Sequence, residues 1–200
     1  WPQLHAVDAE PLPGSDALLQ GWALFHSGRF HEAADTGLAL GVDGWSLANR
    51  ATAAQAALVE PNENVRLDLF KRVHLQASAL TLQRPQLANA WYWQGYALAR
   101  YAQGIHVARA LAQGLGAQVG LALRTTLALD ANHAYAHVAL GAFEAAVIDK
   151  LGPLVGAITY GVTAESALDH LQQAQSLAPD SPAVLHECAG ALLLMDGSAR

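Results

Sequence analysis

The stretch LALDANHAYAHVALGAFEAAV, residues 127–147, decides the fold. An apolar run ends at Leu129, the breaker Asp130-Ala131-Asn132 follows, and from His133 onward apolar residues recur at three- and four-residue steps around the small Gly141. That is the signature of a turn followed by an amphipathic helix. The same grammar recurs on both sides. Gly21, Asn49, Gly95, Gly141 and Gly190 hold the small position, and the last four are separated by 46, 46 and 49 residues. The breakers Leu82-Gln83-Arg84-Pro85 and Leu177-Ala178-Pro179-Asp180 flank the central one, so that Pro85, Ala131 and Pro179 lie 46 and 48 residues apart. Two independent landmark series with one period mark an internal repeat. No run alternates with period two over a useful length. The expected fold is all-α, a solenoid of antiparallel helix pairs, each of which buries its apolar face only by stacking on its neighbours.

The landmarks divide the chain into an extended N-terminal segment, residues 1–15, and a single array over 16–200. Its units are expected at about 16–41, 43–85, 86–131 and 132–179, with a final capping helix at 182–195. Two hundred residues bury a sizeable core without a disulfide or a structural metal. With 14% charged and 52% apolar residues the chain is neither disordered nor built for solvation. The net charge of -6, from 11 Lys+Arg against 17 Asp+Glu, argues against nucleic acid as a partner. No segment approaches the ~20 apolar residues of a membrane-spanning helix. Cys188 is the only cysteine, so no intrachain disulfide is expected. Met195 is the only methionine, and the first fifteen residues carry Asp8, Glu10 and three prolines without an apolar run. A periplasmic or otherwise exported location after leader removal is therefore expected, with a cytoplasmic one as the alternative.

The repeat resembles the tetratricopeptide family, whose first helix carries Trp, two residues, Leu-Gly, two residues, Tyr, and whose second carries Ala, three residues, Phe, then Pro. Trp91-Gln94-Gly95-Leu98, His137-Leu140-Gly141 and His186-Ala189-Gly190-Leu193 resemble the first part. Val73-Ala77-Pro85, Val119-Leu123-Ala131 and Ala167-Leu171-Pro179 resemble the second, and Gly21 with Gly28-Arg29-Phe30 and Ala33 forms the closest single unit. Relative to the family, three successive units carry insertions of 12, 12 and 14 residues between their helices. Divided between two helices, such an insertion lengthens each by about 9 Å. This elongated form is similar to a bacterial, mostly exported subset that resembles the regulator-of-microtubule-dynamics repeats and, more loosely, the T component associated with TRAP transporters. The resemblance implies a helical scaffold without catalysis or cofactor.

Few residues invite chemistry. His133 and His137 have one-turn spacing, but no third-ligand signature stands beside them, and His137 and His186 occupy the slot where the family keeps a large aromatic. No metal is expected, and both read as packing residues. Cys188 reads as an inert buried thiol, and Gly114-x-Gly116-x3-Gly120 has no preceding strand and no Lys-Ser/Thr, so no phosphate cradle is expected. No acid, base and nucleophile converge, and no catalytic residue is assigned.

In stacked helix pairs the first helices line a concave groove. Counting from each small residue, the groove-facing positions include Trp22 and Phe25, Arg50, Tyr92 and Tyr96, with Asn89 and Tyr135 one turn earlier and Arg100 beside Tyr96. These eight residues form the candidate binding site for a peptide or protein partner, the aromatics offering rigid area and the arginines taking a carboxylate. The competing reading is that the insertions fold over this surface and make the same aromatics core. The uncharged insertions, residues 110–123 and 151–164, read either as lids on the core or as an exposed apolar face with Tyr160 at the contact. The expected function is thus a non-enzymatic binding scaffold. The alternative is a carrier of a small hydrophobic or organic-acid ligand in a transporter or envelope pathway. Either role is compatible with an oligomer.

Overall fold

The computed structural model describes Glu10 and residues 12–198. The segment expected to be extended, residues 1–15, therefore lies largely outside the described residues. Among those described there are eleven α-helices and no strand, and no helix is long and apolar enough to cross a membrane. The chain forms two compact units, Trp1–His106 and Val107–Arg200.

The first unit holds α1 (Asp16–His26), α2 (Phe30–Ala39), α3 (Trp45–Ala54), α4 (Glu63–Gln83) and α5 (Ala88–Gln103). Local chemistry sets their ends. Ser15 caps α1 by accepting the Leu18 N–H at 3.3 Å, with Asp16 in the first turn. Asn62 caps α4 by accepting from Asn64 and Val65 at 3.0 and 3.2 Å. Each helix packs on its successor, and α3 also touches α1 and α5. At the α2–α3 crossing the backbones come into contact. Its turn, Gly41–Gly44, is a 3-10 helix, and a Cβ at Gly37 would sit 2.7 Å from both the Ala48 nitrogen and the Gly44 oxygen. Backbone meets backbone there, so only glycine fits. The insertion of this unit is helical: α3 continues through a wide π turn, Gln55–Val59, and α4 runs for 21 residues.

The second unit holds α6 (Val107–Ala112), α7 (Leu115–Leu129), α8 (Ala134–Leu151), α9 (Pro153–Tyr160), α10 (Ala164–Leu177) and α11 (Pro182–Ser198). Helix α8 is central and packs on α7, α9, α10 and α11. Its core joins Val138 and Ala145 to Leu171, Val184, Cys188 and Ala191. Here the insertions do not lengthen helices as expected but fold as separate short ones. Gly114 (φ 62), Gly152 (φ 83) and Gly161 (φ 66) adopt left-handed conformations that end each helical run. The two uncharged stretches consequently divide. Leu115, Val119, Leu123 and Val162 are buried, whereas Leu121, Leu154 and Ile158 are 63%, 72% and 78% exposed. Tyr160 is half-buried and turns inward onto Phe143 and the bare surface of Gly116.

The small position of the repeat differs sharply between α8 and α11. A Cβ at Gly141 would lie 2.9 Å from the Ala167 carbonyl oxygen and from Leu171, while one at Gly190 meets nothing within 4 Å. Gly190→Ala is therefore expected to raise stability by up to about 1 kcal/mol through helix propensity. Gly141→Ala should lower it by about 1–3 kcal/mol through overpacking. Urea denaturation of both variants checks the contrast, and equal effects would show that Gly141 is not a close-approach site.

Candidate functional site

Six of the eight candidate residues meet in one chain of contacts on α1, α3 and α5. Trp22 and Phe25, one turn apart on α1, pack edge to face at 5.6 Å. The Arg50 guanidinium lies 5.0 Å from the centre of the Phe25 ring and 5.7 Å from that of Trp93, so a single cation on α3 bridges aromatic faces of α1 and α5. Such contacts stabilise by about 0.5–2 kcal/mol each, the more so when water is excluded. Trp93 then meets Tyr96 edge to face at 5.6 Å, Tyr92 stacks on Tyr96 at 5.7 Å, and the Arg100 guanidinium lies 5.6 Å from the Tyr96 ring centre. Phe70 of α4 closes the cluster from below, 6.3 Å from Tyr96.

Burial separates the members. Trp22, Asn89 and Tyr92 are only 3%, 3% and 5% exposed, while Phe25, Arg50, Tyr96 and Arg100 are half-buried. Tyr135 belongs to the second unit. Its hydroxyl lies 3.4 Å from the Ser181 hydroxyl, and its ring packs on the core beneath α11. Trp93, the ring that links Arg50 to Tyr96, is absent from the groove-facing positions because it lies two residues before Gly95, a position the count does not include. An aromatic pair at Tyr92-Trp93 was the available signal.

At the C-terminal end of α5 the cluster borders a cleft of about 240 Å3. Arg66 and Arg100 line it with Glu63, and Leu67, Phe70 and Ala57 supply its apolar walls. The wide turn at Gln55–Val59 shapes one side. Two guanidiniums against one carboxylate suit an anionic group carried on an apolar stem.

The second unit has a polar seam between α8 and α10 that sequence reasoning did not assemble. His137 Nδ1 lies 3.0 Å from His170 Nδ1, and about two turns on along α8 and one turn back along α10 the Ser166 hydroxyl donates to the Glu144 carboxylate at 2.5 Å. Ser166 also completes the capping box of α10 with Thr163. Glu144 is buried, and that burial pushes its carboxyl above the usual range, opposed by the Ser166 hydrogen bond and the positive Arg124. Burial likewise holds His170 below the ordinary histidine value, with the neighbouring His137 adding to it. His133 does not join His137 as a pair. Its Nδ1 instead accepts the Ala136 N–H at 3.0 Å and caps α8. Nor is His186 a packing residue, for it is exposed on α11. Cys188 is buried beneath α11, its thiol pushed up by desolvation. Among the described residues no group of three or more His, Cys, Asp or Glu is placed to hold a metal ion.

No protein-family model matches the chain, and no curated protein matches it.

The raised carboxyl of Glu144 has a definite pH signature. The folded state holds the proton more tightly than the unfolded chain, whose glutamate titrates near about 4.3. Its contribution is therefore fully present below about pH 4.3 and is lost as pH rises through the folded value. Glu144→Gln, which keeps an oxygen to accept from Ser166, should raise the melting temperature at pH 7 and by less at pH 4.5. A loss of stability that is larger at pH 7 than at pH 4.5 would show instead that the site favours the carboxylate.

Proposed function

We propose that this protein is a non-enzymatic binding scaffold of the tetratricopeptide kind, which holds an acidic peptide or protein segment on the face formed by α1, α3 and α5. The observation that carries this is the run of guanidinium and aromatic contacts from Phe25 through Arg50 and Trp93 to Tyr96 and Arg100, which ends beside the cleft shared with Arg66. Buried rings hold the reachable ones in place, so little side-chain entropy is lost when a partner docks. Support for the repeat reading comes from the helix pairs themselves, in which alternate helices α1, α3 and α5 touch as well as successive ones. Each arginine adds a charge-assisted donor for a carboxylate.

The size of the cleft favours one second reading. At about 240 Å3 it falls below the ~300–1,000 Å3 of drug-sized ligand pockets, so it suits a single acidic side chain or a small organic acid rather than a lipid. An exported, periplasmic setting is part of the proposal and accords with the lone thiol, Cys188, being buried.

Arrayed acidic peptides and their Asn/Gln counterparts provide the test. Acidic members should be captured in preference. Arg100→Ala should weaken capture by about 1.5–3 kcal/mol, roughly 10- to 150-fold, with unchanged helicity. Should that variant lose helicity, Arg66→Ala, on the neighbouring α4, carries the comparison. Capture that ignores both arginines would sink the reading. Retention of a small acid in native mass spectra, with no peptide bound, would favour the carrier.

A further inference from the structure

The seam between α8 and α10 holds two imidazoles whose arrangement asks for a third party. His137 Nε2 lies 3.1 Å from the Ala131 carbonyl oxygen, which can only accept, so Nε2 carries the proton. In the neutral ring the His137 Nδ1 is then a bare lone pair, and it is aimed at His170 Nδ1, 3.0 Å away. The His170 ring can answer with its own Nδ1–H. In its other tautomer it presents a second lone pair to the first. Zinc binds imidazole nitrogen at about 2.0–2.1 Å in tetrahedral geometry, which sets two such nitrogens roughly 3.4 Å apart. The observed separation is within a few tenths of an ångström of that spacing. A small side-chain adjustment therefore turns a hydrogen-bonded pair into a chelating one.

We propose that His137 and His170 form a two-histidine site for a divalent transition-metal ion of the copper or zinc class, with water completing its coordination. The bond from His137 Nε2–H to the Ala131 carbonyl is the outer contact by which metal-bound imidazoles fix their tautomer and orientation. Both rings are half-buried, so the protein holds them while solvent reaches the open positions. The nearby charges oppose one another: Asp169 favours a cation at His170, and Arg124 disfavours it. His133 is committed to capping α8, and no third protein ligand stands within reach among the described residues. Affinity then follows the intrinsic order of the ions, copper above zinc, and magnesium, which prefers oxygen, is excluded. The site lies on a different unit from the arginine cleft and does not depend on the binding reading above.

Calorimetric titration of the full chain with copper(II), zinc and magnesium chlorides tests this, together with electron paramagnetic resonance of the copper-loaded protein. The expected result is one strong ion per chain, copper tighter than zinc, no magnesium binding, and hyperfine coupling to two imidazole nitrogens. His137→Ala and His170→Ala should each reduce affinity by at least about tenfold. Substitution of the exposed His31 or His186 should leave it unchanged. If either alanine variant fails to fold, the nitrogen count of the parent decides. Binding that survives His170→Ala, a spectrum with fewer than two nitrogens, or no copper binding would overturn the proposal.

Discussion

Everything in this protein depends on how closely its helices approach one another. Alanine is by far the commonest of the buried hydrophobic residues and offers little area apiece, so the helices gain burial where their axes lie near. Gly37 and Gly44 permit backbone contact between α2 and the turn into α3, and Gly141 lets α8 settle on the Ala167 carbonyl of α10. Close approach places groups from different helices within hydrogen-bonding distance, and that is how His137 meets His170 and Glu144 meets Ser166. The polar seam is a consequence of the glycine between its two pairs.

The two units use this constraint differently. In the first, large rings fill the space between α1, α3 and α5, and Arg50 is tolerated among them because aromatic faces partly replace its lost water. In the second, small residues dominate and the polar groups must satisfy one another. Glu144 does so imperfectly, accepting from Ser166 while its burial disfavours the anion. The first unit thus gathers cationic and aromatic side chains, the second a facing pair of imidazoles.

Much of the architecture was legible because it rests on local periodicity. The breakers at Pro85, Ala131 and Pro179 stand at the turns that follow α4, α7 and α10, and the helices around Gly95 and Gly141 run over Ala88–Gln103 and Ala134–Leu151. The aromatic face was legible in part: counting from the small residue gave Arg50 and Tyr96, with Arg100 noted beside Tyr96, but passed over Trp93. Positional counting assigns a direction to each Cα and cannot see that a ring as large as indole reaches across a helix. The insertions were misjudged for a related reason. Their apolar composition was plain, but Gly114, Gly152 and Gly161 are permissive residues, and whether they continue a helix or leave it is settled by what they pack against.

What the sequence determined alone was therefore the all-helical class and the repeat landmarks, because each follows from composition or from spacing along one helix. Only the tertiary structure decided which aromatics are fully buried and which half-buried, that the second unit's insertions break into short helices, and that His137 faces His170 rather than His133. His137 and His170 are 33 residues apart and Glu144 and Ser166 are 22 apart, on helices whose crossing is set by packing at Gly141. No local pattern encodes a distance between two helices; it emerges when their small residues let them touch.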